Sequence, residues 1–247
     1  MLKFIFMNKS TQTLLLIFLL FFSCTPSSTP TPSTTTSTPN PTPLPTFGSV
    51  SDADGNVYST VTIGTQVWMA ENLKTTKYCN GDLIPNVTDN TQWNNLVSGA
   101  WNYYNNDSQY NTIYGKLYNW YTVNDSRNIC PCNWHVPTDG EWTTLINFLG
   151  GDSSAYIAMK SVGSIPSGNG LWISNNTANN SSGFNALPAG QGGGSNFYLI
   201  TESGQWWAKE QISTGTAHNR YIHHSVLQVK EGTGAKKSGM SVRCIKD

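Results

Sequence analysis

From Phe47 onward the sequence predicts an α+β domain: short antiparallel strands, two or more helices and long polar loops. Three observations carry this. Val57, Ser59, Val61 and Ile63 alternate with Tyr58, Thr60 and Thr62 ahead of a Gly64-Thr65 turn, which is the pattern of a β-hairpin. Thr138-Asp139-Gly140-Glu141 is a capping box at the head of an apolar stripe with helical spacing. After Gly190, short aromatic and β-branched runs recur between turn residues and read as a series of strands.

The chain begins with an address. Lys3 and Lys9 flank an apolar run, Leu14 to Phe22, that ends at Ser23-Cys24. A basic region, a run of this length and a small residue before the cut make residues 1–23 a secretory signal peptide. The run is shorter than the roughly 20 residues a membrane span needs. Met7 to Cys24 alone already forms a complete signal. Phe21-Phe22-Ser23-Cys24 resembles a loose lipobox, the cleavage motif of bacterial lipoproteins. That resemblance implies lipidation of Cys24 and a membrane partner through the acyl chains, of which stable anchoring needs more than one; ordinary secretion is the alternative. Residues 24–46 then form a tether, because nearly every residue from Thr25 to Thr46 is Ser, Thr or Pro. Such a segment has no apolar surface to offset chain entropy and favours extended polyproline II, with a reach of about 70 Å. The expected location is the bacterial cell envelope, as an outer-membrane lipoprotein. No acidic residue closely follows Cys24, so the periplasmic and surface sides stay open.

Residues 47–247 are long enough for one large domain with a real core. The 14 basic and 14 acidic side chains balance to a formal net charge of zero, which speaks against a nucleic-acid partner. Tyr, Trp, Asn, Gly, Ser and Thr are abundant instead, a mix that suits polar recognition surfaces where aromatic rings supply contact area.

Gln66 to Met69 is the returning strand of the first hairpin. Asp52-Ala53-Asp54-Gly55-Asn56 begins like a calcium loop, but Ile63 stands where a bidentate Glu is required, so a turn is the simpler reading. Ile84 to Tyr104 mixes turn residues with Trp93, Leu96, Trp101, Tyr103 and Tyr104, and Asn-rich loop runs on to Asn111. Tyr114 to Tyr121 has aromatics spaced for helix or strand, and a short helix is expected; most of these rings belong in the core. Cys130-Pro131-Cys132 is too tight to close on itself. Trp134-His135-Val136-Pro137 reads as extended. Trp142, Leu145, Ile146 and Leu149 then share one face of a helix stopped by Gly150-Gly151. Ala155 to Val162 reads as a second short helix, Asn169 to Ser182 as polar loop, and Phe184 to Ala189 as a short strand or turn. Gly190 to Gly194 lacks the Gly-Lys-Ser/Thr end of a phosphate loop and reads as a flexible turn. Phe197 to Ile200, Gln205 to Ala208, Tyr221-Ile222, Ser225 to Val229 and Ser241 to Ile245 are the late strands.

The stretches DADGNVYSTVTIGTQVWMAENLKTTKY, YGKLYNWYTV, ICPCNWHVPTDGEW, SGFNALPAG and GMSVRCIKD resemble, in order, the Fibrobacter succinogenes major paralogous domain family of secreted bacterial proteins. WHVPTDGEW is also similar to the W-x-L-P-T-x-x-E-W core of formylglycine-generating-enzyme-like proteins. Those resemblances imply a C-type-lectin-like fold, a small twisted sheet with two helices and long ligand-exposed loops. They also imply that Cys130 and Cys244 are the family's pair, and that the additional Cys79 and Cys132 form a second disulfide. Four cysteines without Cys24 allow three pairings, and an exported chain suits disulfides. Trp206-Trp207-Ala208-Lys209-Glu210 departs from the family's W-S-S-T, which puts the local strand geometry in question.

No catalytic constellation stands out. A thiol nucleophile at Cys130 or Cys132 beside His135 competes with disulfide formation, and Glu141 is taken by the cap. His218, His223 and His224 are the clustered imidazoles, with only Glu231 at a helpful spacing, and no metal or other cofactor is expected. In lectin-like folds the late loops and strands form the ligand face, here Gln191 to Lys237, so Trp206, Trp207, His218, Asn219, Tyr221, His223 and His224 are the expected contacts for a glycan or surface-protein ligand. The E-P-N, Q-P-D and W-N-D motifs of calcium-dependent lectins are absent. Arg220 and Arg243 match the family framework and are expected to be structural. The functional expectation is therefore a non-catalytic, anchored binding or adhesion module. A structural envelope protein without a ligand is the alternative, and an oxidoreductase of formylglycine-generating type is the least supported.

Overall fold

The computed structural model describes residues 45–174, 177–193 and 196–247, which belong to one compact unit. The signal peptide, Cys24, nearly all of the tether and Gly194 lie outside the described residues. The architecture is mixed α+β, mostly sheet with a few short helices. Strand β1 (Thr46–Ser51) runs antiparallel to β2 (Val57–Ile63), and β3 (Gln66–Met69) returns along the other side of β2. Then come α1 (Asn90–Asn94), β4 (Trp101–Asn102), a 3-10 turn at Tyr104–Asn106, α2 (Gln109–Tyr114), β5 (Leu117–Tyr118) and α3 (Trp120–Val123). β6 (Trp134–His135) leads into α4 (Asp139–Phe148) and α5 (Asp152–Met159). The late strands are β7 (Ala189–Gly193), β8 (Asn196–Ile200), β9 (Ser203–Gln211), β10 (Thr216–His223), β11 (Val226–Ala235) and β12 (Ile245–Lys246). Among the described residues no helix is long and apolar enough to cross a membrane.

Where one small sheet was expected, the strands form two five-stranded sheets, ordered β1-β2-β3-β12-β6 and β11-β10-β9-β7-β8, beside a β4-β5 ribbon. The terminal strand β12 inserts between β3 and β6, so the two ends of the domain share one sheet. Successive strand residues point to opposite faces, and that alternation divides the core in two. On β3, Trp68 enters one cluster with Trp142, Tyr156, Trp172 and Phe184, while Met69 enters the other with Tyr58, Tyr118 and Trp120. Ile245 and Cys244 part in the same way.

Several local expectations change. Tyr114 to Tyr121 is not one helix: α2 ends at Gly115, β5 intervenes, and Asn119 restarts α3 by accepting the Thr122 N–H at 3.1 Å. The second helix begins at Asp152, not Ala155, and Lys160 is already extended, which leaves Val162 exposed. Gly190 to Gly193 is strand, pinned parallel to β9 at Gly204 and antiparallel to β8. Gly190 has φ +66°, and a Cβ there would lie 2.3 Å from the Tyr198 carbonyl oxygen, so glycine is what lets β8 cross so closely.

The capping box is as expected: Thr138 Oγ1 accepts the Glu141 N–H at 3.2 Å, and Glu141 Oε2 accepts the Thr138 N–H at 2.8 Å. The same carboxylate turns its other oxygen to His135 Nε2 at 2.9 Å, while Asp247 meets His135 Nδ1 at 2.6 Å. The imidazole thus ties the end of the chain to the head of α4. Burial opposes its charge, but the hydrogen bonds to Asp247 and Glu141 outweigh burial and raise its pKa above 6.5. Glu141 is also penalised by burial, yet the Thr138 N–H and His135 bring it below 4.5. A raised histidine contributes stability that is complete below 6.5 and lost as pH rises through the folded value; a depressed glutamate contributes stability complete above 4.5 and lost as pH falls. The contribution of this pair is therefore greatest between pH 4.5 and 6.5. Urea midpoints of the wild-type chain should decline from that window toward pH 8, and His135→Gln should flatten the decline. An unchanged slope in His135→Gln would refute this role.

Candidate binding cleft on the second sheet

β9 and β10 are paired so that Gln205 faces Tyr221, Trp206 faces Arg220 and Trp207 faces Asn219. One sheet face carries Trp206, Ala208, Ile222 and Val229 into the core beneath α4 and α5. The opposite face carries Ala217 and Trp207 into the other core at one end. At its other end that second face is uncovered. There a cleft of about 510 Å³ opens, lined by Gln191 of β7, Ser203 and Gln205 of β9, and Asn219, Tyr221 and His223 of β10. β11 supplies Glu231, Gly232 and Thr233.

Asn219 is the group that most needs a partner. It is 3% exposed, and its Oδ1 makes no hydrogen bond. A buried amide oxygen left unpaired costs about 1–3 kcal/mol. Gly232 sits directly across the ladder from it, and a Cβ there would lie 2.4 Å from that oxygen, so the glycine keeps the amide in the cleft wall. Ser203 donates to the Ile222 carbonyl at 3.0 Å and is framework. His223 Nδ1 lies 2.8 Å from Ser225 Oγ, and burial together with the neighbouring His224 lowers the pKa of His223.

The expected contact set is thus split. Asn219, Tyr221 and His223 line the cleft. Trp206 and Trp207 do not: they are 1% and 0% exposed, because β9 is a central strand covered on both faces where they sit, and adjacent strand residues enter opposite cores. Their indole N–H groups are spent inside, on Asn72 Oδ1 and on the Tyr118 carbonyl. Neither indole can stack on a ligand. His218 stands apart, with Nδ1 3.0 Å from Glu231 and 4.0 Å from Asp139. Arg220 joins the same two carboxylates at 2.6 and 3.1 Å and donates to Thr143 Oγ1, so this cluster is an ion-paired clasp between β10, β11 and α4. The hydrogen bond from Arg220 draws the Glu231 pKa down.

His224 lies in the β10–β11 turn, and its backbone N–H reaches the Glu202 carbonyl at 2.8 Å. That bond brings Glu202, of the β8–β9 turn, to the His223-His224 pair, whose rings are 4.6 Å apart. Spacing alone did not signal Glu202, since only the meeting of two hairpin ends creates the neighbourhood.

The remaining candidates are engaged in structure. Asp52 accepts from the Asp54 and Asn56 N–H groups at 2.9 and 3.0 Å and from the Tyr58 hydroxyl. Asp54 accepts from Thr76 Oγ1 at 2.8 Å and pairs with Lys77 at 3.2 Å, so Asp52 closes the turn before β2 and Asp54 fastens that turn to the loop after β3. Cys130 is joined to Cys244 and Cys79 to Cys132, with Cα separations of 5.8 and 5.5 Å. These are the pairings the family pattern implied. Arg243 is wholly buried.

Among known proteins, the family model of the Fibrobacter succinogenes major domain matches the chain over residues 61–246. No curated protein and no solved structure matches the chain. The matched span includes the end of β2, everything from β3 to β12 and the whole cleft, and the chain belongs to the Fibrobacter succinogenes major domain family.

Proposed function

We propose that this protein is a bacterial envelope lipoprotein, anchored through Cys24, whose globular part is a non-catalytic module that binds a glycan in the cleft on the second sheet. The observation that carries this is Asn219, a buried amide with an unpaired oxygen in a wall that also presents Gln191, Gln205, Tyr221 and His223. A sugar hydroxyl exchanges hydrogen bonds with side-chain amides, a small rotation of Asn219 would bring its sheltered oxygen within reach, and a tyrosine ring offers an apolar face to the C–H side of the pyranose. The lectin-like reading of the architecture is part of the proposal, and the late strands supply the face it requires. Anchoring is argued from the N-terminal sequence. The non-catalytic reading is supported by the cysteines, since the four within the domain are paired in disulfides and formylglycine-type chemistry needs free thiols.

A screen of the full chain against glycans and envelope proteins tests this. A glycan is the expected ligand, with Tyr221→Ala weakening its binding about tenfold, the size of one lost aromatic contact, and Gln205→Ala weakening it less. Undiminished binding in both variants would move the site elsewhere, and absence of any ligand would favour the purely structural role.

A further inference from the structure

The geometry points to a divalent transition-metal site of the zinc class at the rim of the cleft, formed by Glu202, His223 and His224. Each of these residues can offer one ligand atom, and the three atoms lie within 4.8 Å of one another. His223 Nε2 and Glu202 Oε2 are 4.0 Å apart, so only small side-chain adjustments bring them to the separations of a tetrahedral site. Two imidazoles and one carboxylate are a borderline donor set that suits zinc and its neighbours, not the all-oxygen shell of calcium or magnesium. Three protein ligands leave a fourth position for water or a ligand group.

The surroundings are organised as an outer shell. Metal-binding imidazoles hold their second ring nitrogen against a hydrogen-bond partner, which fixes the ring and its tautomer. Here His223 Nδ1 lies 2.8 Å from Ser225 Oγ, and His224 Nδ1 lies 3.2 Å from Ser174 Oγ. This assigns Nε2 of His223, the atom that faces Glu202, to the metal. The Ser225 N–H also lies 3.2 Å from His223 Nδ1 and favours the tautomer protonated at Nε2. Metal binding then moves that proton to Nδ1, where Ser225 Oγ accepts it and the bond from the Ser225 N–H is given up. The two turns are held together by the His224 N–H bond to the Glu202 carbonyl, so the ligands come from a fastened pair of hairpin ends. The other histidine cluster, Asp139, His218 and Glu231, is a poor competitor, because the Arg220 guanidinium already lies against both of its carboxylates. The sequence-level expectation of no metal is revised by Glu202.

The test is titration of zinc chloride into the full chain, prepared without a histidine tag, in competition with a chromophoric chelator. One zinc ion per chain is expected. Glu202→Gln and His224→Ala should abolish it, Ser174→Ala should weaken it about tenfold or more, and His218→Ala should leave it unchanged. Nitrogen-15 chemical shifts should report the change of His223 tautomer on loading. Failure of the wild-type chain to bind zinc, or binding that survives Glu202→Gln and His224→Ala, overturns the site. No glycan is present in the titration, and the glycan screen can be run with chelator, so either reading can fail without the other.

Discussion

Replacing Arg243 with Leu should destabilise the domain by about 3–5 kcal/mol, the range for breaking a buried, charge-assisted network. Arg243 is 0% exposed, and among the described residues no carboxylate contacts it. Its guanidinium donates through Nε to Asn72 Oδ1 at 2.8 Å, through Nη1 to the Met69 and Phe184 carbonyls, and through Nη2 to the Asn185 carbonyl at 2.8 Å. Phe184 packs 4.4 Å from the guanidinium carbon. One side chain thus joins β3, the segment before β7 and the segment that carries Cys244 into β12. Leucine would fill much of the volume and leave three backbone carbonyls without this donor, at about 1–3 kcal/mol each where burial is complete. Asn72 would fare better, because its Oδ1 also accepts from Trp206 Nε1. Arg243→Lys is the discriminating variant: a single ammonium cannot span acceptors spread around a planar fork. Urea denaturation should show both variants well below wild type, and a fully stable Arg243→Lys would mean that charge alone, not the fork, is required.

That network also shows where sequence reading stops. The capping box of α4 and the first hairpin were legible because their signals are local: a Thr and a Glu three residues apart, and an alternation of period two. Arg243 could be assigned to the framework from the family resemblance, but its acceptors are carbonyls and carbonyls have no sequence signature. Strand β1 was invisible for a related reason. Its residues are almost all exposed and only Val50 packs against a core cluster, so it pairs with β2 mainly through backbone and shows no apolar alternation.

Within the candidate site the same divide holds. Asn219, Tyr221 and His223 come together because β10 alternates and its register sends all three to one face. Trp206 and Trp207 were misplaced because exposure cannot be inferred from residue type: the aromatic rings that suit a ligand also suit a core. Their adjacency was the available clue. Two neighbouring residues of a strand cannot share a face, so both could never have belonged to one binding surface. Glu202 was missed because 21 residues separate it from His223 and only turn–turn contact unites them.

The two disulfides should prove unequal under reduction. Cys79–Cys132 spans 53 residues and Cys130–Cys244 spans 114. In the chain-entropy model their closure restrains the unfolded chain by about 4 and about 5 kcal/mol, a small difference. Location separates them much further. Cys130 and Cys244 are 1% and 0% exposed in the core beside Tyr118 and Trp207, whereas Cys132 is at the surface. Thiol–disulfide exchange needs an attacking thiolate to reach a sulfur, so the buried bridge reacts only when the core opens. Under mild reductant with alkylation and peptide mass mapping, Cys79 and Cys132 should therefore label first, in a chain that keeps its fold. Cys130 and Cys244 should label only together with global unfolding, since β12 is threaded between β3 and β6 and cannot peel away without dissolving the first sheet. The paired variant Cys130→Ala with Cys244→Ala should lose more stability than Cys79→Ser with Cys132→Ser, because it forfeits core packing as well as the cross-link. Simultaneous labelling of all four thiols would contradict this ordering and show that the first sheet opens as readily as the surface loop.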